Sequence, residues 1–248
     1  MNSFTRPPAT RTSKYNNEKL FNQKRINSDF IENIEKLYEA LNLSEENQNN
    51  TSLTYNGLFS LLTSLIDFYL HQIAMWVNLP LLRRDLPKTN IIFSSKVKDI
   101  KVSFEDYLRL YSNPSQNKEK FCRDQLDSVL YRDTLQGDYG MKSFSQWLGL
   151  DIEYDKNNYQ SIYFFKNHSA SDKEKSYLAC INKYAKNLSE LRDLRNPGAH
   201  QFYTDRKTMR QKVFSKEEIK GWLDFAKEFQ KELHNCILEL FNDDGTRK

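Results

Sequence analysis

The stretch from Thr51 to Asn78 is the most apolar in the chain and sharply restricts the folds open to it. Leu58, Leu61, Leu62, Leu65, Ile66, Tyr69, Leu70, Ile73, Trp76 and Val77 spread over most of a helix circumference. A helix of that kind must be buried centrally or shared with a partner subunit, because one packed face does not cover it. Pro80 is expected to stop it. Asp67, His71, Gln72 and several Ser and Thr inside the run argue against a membrane span. Asp67 and His71 are four residues apart and so share a face. Two readings of them are open: a local pair at the helix edge, or a polar contribution to a site formed where this helix packs.

The rest of the chain is arranged as helical segments around that run. Phe30, Ile31, Ile34, Leu37, Tyr38 and Leu41 recur at helical spacing, which predicts a first helix over Asp29–Leu43 opened by an Asp29/Glu32 capping pair. Residues 81–101 read as a connector with Pro87. Ser103 with Asp106 opens a short helix through Tyr111, and Pro114 breaks it. A helix is predicted over Lys118–Leu135, with Phe121, Leu126, Val129 and Leu130 inward. Residues 137–149 read as a turn-rich piece holding Trp147. The aromatic stretch Tyr154–Phe165 fits either a strand pair or a packed loop. Ser171 with Glu174 and Ser215 with Glu218 are capping boxes that open two further helices, over 171–196 and 215–241. Pro197 and Gly198 are expected to end the first of these, so that it packs antiparallel to the second.

The expected fold class is therefore mainly α: a bundle of about four long helices, near 52–78, 117–135, 172–196 and 216–241, with long connections. Residues 1–26 form a basic arm of disordered character, with Arg6, Arg11, Lys14, Lys19, Lys24 and Arg25 against Glu18. Residues 27–243 form a single helical domain, and 244–248 a C-terminal tail. Seven Gly and six Pro disfavour an all-β chain and a Gly-rich phosphate loop. The net charge of +4 permits contact with nucleic acid without establishing it. Three widely spaced cysteines, Cys122, Cys180 and Cys236, give neither a zinc knuckle nor a disulfide framework. They fit buried free thiols in a reducing, cytoplasmic setting. Met1–Lys14 has no apolar core of the kind a secretory signal needs.

Chemistry concentrates at Arg195-Asn196-Pro197-Gly198-Ala199-His200. A guanidinium grips a phosphate through its planar fork of donors. An imidazole moves protons near neutral pH. Asn196 is a supporting amide that can orient the imidazole or a phosphate oxygen. No Asp/Glu/His cluster with ligand spacing, no HExxH and no paired Asp motif occurs, so neither a metal nor another cofactor is expected. His168 and His234 have no partner by spacing and are assigned to surface or helix-edge roles. Arg206, Lys207, Arg210 and Lys212 follow as a basic cluster, read either as an RNA guide or as a solvated connector.

With its helical layout from about Thr51 to Phe241, this Arg-x4-His motif resembles the HEPN superfamily, whose helical bundles carry Arg-x4-6-His, often with a polar residue after the Arg. The Pro197-Gly198 pair and the connector after His200 depart from that pattern in detail. The resemblance implies a metal-independent endoribonuclease with Arg195 and His200 catalytic, and a homodimer in which the motifs of two protomers face each other. It also implies use in defence, stress response or a toxin–antitoxin pair, with an antitoxin or regulatory protein as a further partner. A second function class stays open: a non-catalytic helical module that binds RNA, a nucleotide or a protein.

Overall fold

The computed structural model of the chain describes residues 23–44, 51–83, 105, 108, 114–130, 132–155, 162–166, 169–201 and 213–248. They form a mainly helical fold. In chain order the elements are α1 (Gln23–Leu43), α2 (Thr51–Arg83), α3 (Pro114–Leu130), α4 (Gly137–Trp147), β1 (Ile152–Asp155), β2 (Ile162–Phe165), α5 (Asp172–Lys183), α6 (Ala185–Gln201) and α7 (Lys216–Leu240).

Helix α2 is the centre. It packs against α1, α3, α4, α6 and α7. Phe59, Leu62, Ile66, Leu70, Ile73 and Ala74 are essentially inaccessible to solvent. Burying each large apolar side chain contributes roughly 1.5–3 kcal/mol. Leu61, expected to face inward, is instead exposed, as are Leu53 and Phe68. The span Leu53–Leu79 is long and apolar enough to cross a membrane by length and composition, yet most of its apolar stretch is buried inside the fold.

Several sequence-based boundaries shift, and proline explains most of them. Helix α2 runs through Pro80 to Arg83, and α6 runs through Pro197 and Gly198 to Gln201. Both prolines sit near the end of their helices. Each removes one rung of the backbone ladder, while the earlier turns stay held by packing. Pro114 begins α3, at the position where its missing N–H costs nothing. Helix α1 begins at Gln23, six residues before the expected start, so Ile26 joins the core rather than a basic arm.

The turn-rich piece at 137–149 is helix α4, with Met141, Phe144 and Trp147 buried along its inner side. The aromatic stretch proves to be a strand pair: β1 and β2 are antiparallel, with Ile152 opposite Phe165 and Tyr154 opposite Tyr163. Asn182 on α5 completes the pair. Its side chain accepts from the Tyr163 N–H at 2.8 Å and donates to the Tyr163 carbonyl at 2.9 Å, as a neighbouring strand would.

Both capping boxes form, at Ser171/Glu174 and Ser215/Glu218. The helix expected over 171–196 is two helices, divided at Tyr184, where the backbone leaves helical geometry (φ −100°, ψ 2°). There the Tyr184 ring meets the edges of Phe225 and Phe229 at 5.9 and 5.3 Å. The division separates two packing tasks. Helix α5 lies antiparallel to α7, with Lys183 reaching Glu228 and Glu232 while Cys236 lies near the Ser176 carbonyl. Helix α6 turns away to pack on α4 and α2. The expected antiparallel partner of α7 is thus α5, not α6.

His234 is buried rather than at a surface, its Nδ1 3.5 Å from the Tyr69 hydroxyl, and burial lowers its pKa. Cys180 and Cys236 are buried free thiols. The C-terminal residues fold back as a turn. Gly245 has φ +84° and lies so close to the Trp76 carbonyl that a Cβ would come within 2.6 Å of it. Trp76 carries the carbonyl that an N–H at position 80 would bond, so the turn covers the rung that Pro80 removes. Residues 1–22 of the expected arm, the Ser103 capping signature and His168 lie outside the described residues.

Asp67 and His71 tie α2 to the segment joining α3 and α4. The Asp67 carboxylate accepts from the N–H groups of Leu135 and Gln136, at 2.8 and 3.1 Å. His71 Nδ1 lies 2.7 Å from the Asp67 carbonyl oxygen, and Nε2 lies 2.9 Å from that of Leu130 and 3.1 Å from that of Asp133. A neutral imidazole donates from one of these nitrogens, an imidazolium from both. The pair therefore fixes the start of α4. Asp67→Ala, which leaves two backbone donors without their acceptor, is expected to destabilise the fold by about 1–3 kcal/mol in urea unfolding.

Candidate active site

Two groups of residues define the candidate site, and they adjoin on α6. The first is the predicted motif. Arg195, Asn196 and His200 all lie in the last turns of α6, which is helical to Gln201. The expected Pro-Gly turn between Arg195 and His200 is absent, and this changes the geometry. At about 100° per residue, positions 195 and 200 are offset by roughly 140° around the helix axis. One chain therefore does not bring those two positions onto one face. Positions 196 and 200, four apart, do share a face. The side chains of 195–201 lie outside the described residues, as does the basic cluster Arg206, Lys207, Arg210 and Lys212.

The second group is a buried polar cluster that sequence reasoning missed. Its centre is the carboxylate of Asp138, in the first turn of α4 and with no solvent exposure. Arg192 on α6 donates to both Asp138 oxygens through one nitrogen. The Tyr154 hydroxyl, from β1, donates to Oδ2 at 2.6 Å. The Ser189 hydroxyl, from α6, donates to the same oxygen at 3.3 Å. The Tyr139 N–H donates to Oδ1 at 2.8 Å, and the Tyr163 hydroxyl, from β2, donates to the Asp138 backbone carbonyl at 2.9 Å. A buried carboxylate persists only when paired and hydrogen-bonded, and Asp138 is both.

Arg192 is 19% exposed and holds Asp193 with the rest of its guanidinium. Its guanidinium lies over the Tyr139 ring at 5.6 Å. Tyr139, which is exposed, meets Tyr154 edge-on at 5.2 Å, and Tyr154 lies 5.3 Å from Tyr163. A hydroxyl pushed well above its ordinary value by burial and by the neighbouring Asp138 charge keeps Tyr163 a neutral donor.

Glycine permits this approach of α4 to α6. Gly137 has φ +83°, and a Cβ there would sit 3.0 Å from the Cβ of Arg192. Gly140 instead allows the segment before α4 to fold close to the helix, since a Cβ there would come within 2.4 Å of the Leu135 carbonyl carbon. Sequence spacing alone did not flag the pair, since Asp138 and Arg192 are 54 residues apart. The recoverable signal is Gly137-Asp138-Tyr139-Gly140, whose two glycines three apart mark a close helix start rather than a run of turns.

Asp67 and His71 are not brought to either group; they serve the α3–α4 segment described above. Among the described residues, no group of three or more His, Cys, Asp or Glu is placed to hold a metal ion. No protein-family model, no curated protein and no solved structure matches the chain.

The Asp138–Arg192 pair is asymmetric in its energetics. Arg192→Ala strands a fully buried carboxylate and is expected to cost about 3–5 kcal/mol. Asp138→Ala is expected to cost less, because the partly exposed guanidinium can reach water. Chemical unfolding of the two variants checks the order. Equal losses would mean that the carboxylate is not the desolvated partner.

Proposed function

We propose that this chain is a metal-independent endoribonuclease of HEPN type, acting at an Arg/His site shared between two protomers. The supporting observation is Arg195-Asn196-x3-His200 at the end of a helix within a mainly helical fold. The 140° offset between positions 195 and 200 favours a site completed by a second copy, since one chain presents them on different sides.

In this reading the ribose 2′-oxygen attacks the adjacent phosphorus, and the bond to the 5′-oxygen of the next nucleotide breaks. His200 takes the proton from the 2′-hydroxyl or gives one to the leaving 5′-oxygen, and the His200 of the second copy takes the other role. Arg195 stabilises the charge that builds on the phosphoryl oxygens. Asn196, one helical turn before His200, supports the imidazole or a phosphate oxygen. The products are a 2′,3′-cyclic phosphate and a 5′-hydroxyl end. Arg206, Lys207, Arg210 and Lys212 supply phosphate contacts that draw RNA to the site. The setting is cytoplasmic, in defence, stress response or a toxin–antitoxin pair, with an antitoxin or regulatory protein restraining the activity.

The same helical offset favours a second reading, a non-catalytic module binding RNA, a nucleotide or a protein, if the chain acts as a monomer. One assay separates the two. Wild-type protein is expected to cleave total RNA in the presence of EDTA, and His200→Ala to cleave at least about 100-fold more slowly. Two inert proteins, or two equally active ones, would contradict the nuclease reading.

A further inference from the structure

We infer that Asp138 is a positioning residue for the Asn196/His200 end of α6, acting through Arg192 and Ser189; as a statement about activity, this rests on the nuclease reading above. Around an α-helix, positions 189, 192, 196 and 200 fall at about 0°, 300°, 340° and 20°, a stripe roughly 80° wide. Ser189 and Arg192, the first two of that stripe, both donate to the buried Asp138 carboxylate. The last two are the supporting amide and the proposed acid–base residue.

The cluster can set both coordinates of the helix end. Two donors one turn apart on one carboxylate fix the rotation of α6 about its axis. The carboxylate is itself held. Its residue begins α4, Tyr154 from β1 donates to it, and Tyr163 from β2 donates to its backbone carbonyl. The start of α4 is held in turn by Asp67 on α2. Gly137 brings the α4 backbone against Arg192, which sets the separation. Position 200 lies eight residues beyond Arg192, about 12 Å along the axis. A small rotation at the cluster thus moves the helix end as a unit. An ångström of misplacement at a reacting group costs on the order of 100-fold in rate.

Among the described side chains of α6, apolar packing is strongest just before this point. Leu188 and Leu191 are buried in the core, while Leu194 is only partly so. Among the described residues, the Asp138 cluster is the buried polar fixture that adjoins the motif, and Pro197 weakens the backbone ladder just beyond it.

Two measurements on the full chain test the inference. In amide hydrogen exchange, Asp138→Asn, which keeps the side-chain shape and removes the charge, is expected to speed exchange at Asn196, Gly198, Ala199 and His200 by about tenfold or more. Amides in α7 should stay within about threefold of wild type. Tyr154→Phe, which removes one donor and leaves the ion pair, should loosen the same amides by a smaller factor; it gives the answer if Asp138→Asn does not fold. Unchanged exchange at 196–200, or an equal rise in α7, overturns the inference.

The second measurement is RNA cleavage. Asp138→Asn should lower kcat about 10- to 100-fold with KM within about threefold of wild type. Asp138→Asn/Arg192→Gln should be no slower than the slower single variant, because the two residues act as one unit. A wild-type kcat in a destabilised Asp138→Asn protein makes the cluster merely structural and overturns the inference. An inert wild type sinks the nuclease reading instead, and the exchange result then decides the anchoring by itself.

Discussion

The structure depends first on covering α2. A helix apolar around most of its circumference has no stable surface position in water, so other elements must be laid against nearly every side of it. Helices α1, α3, α4, α6 and α7 do so. Several polar groups that α2 carries are used as ties. Asp67 and His71 hold the α3–α4 segment, and Asn78 donates to the carbonyls of Ala74 and Trp147 at 2.7 and 2.8 Å. The second consequence is directional. Once α4 is fixed on α2, its first turn lies where Asp138 can meet Arg192. The apolar centre of the fold thereby dictates where the end of α6 sits.

That chain of dependence gives the Asp138 cluster its meaning. A buried carboxylate surrounded by Arg192, Tyr154, Ser189 and the Tyr139 N–H adds little net stability over a well-packed apolar alternative. What it does supply is a defined geometry, because every donor has a fixed direction. A hydrophobic contact between α4 and α6 would allow rotation of α6; directed bonds from both Arg192 and Ser189 of α6 to one held carboxylate do not. The proposed Arg195/His200 site lies on the turns of α6 that follow this fixture, where Pro197 removes one backbone rung.

Much of the fold was legible in the sequence, for reasons that are local. The capping boxes at Ser171 and Ser215 formed because each needs only its own first turn. The inward stripe of α7, with Ile219, Leu223, Ala226, Phe229, Leu233 and Ile237 buried, follows from helical period alone. What was not legible depends on tertiary context. Pro80 and Pro197 read as helix ends, yet packing of the preceding turns carries both helices past them. Gly137 and Gly140 read as turn residues, although both lie in α4, where Gly137 serves the close approach to α6 and Gly140 the close approach to the Leu135 backbone. The motif Arg195-Asn196-x3-His200 was visible, but its geometry was not. An expected turn would have let both groups face one volume, whereas a continuing helix separates their positions. Asp138 was missed because its partner is distant in sequence, and its one local mark is the flanking glycine pair Gly137 and Gly140.

The functional account stands on one chemical claim, that a ribose 2′-hydroxyl is the nucleophile and no metal is needed. The most direct measurement uses a short RNA with a mapped cleavage point and the same strand carrying a single 2′-deoxy nucleotide there, both incubated with the protein in EDTA. The account predicts that the all-ribose strand is cut to a cyclic phosphate and a 5′-hydroxyl end, and that the substituted strand is not cut at that point. Cleavage at the deoxy position, or a 5′-phosphate product, would contradict it.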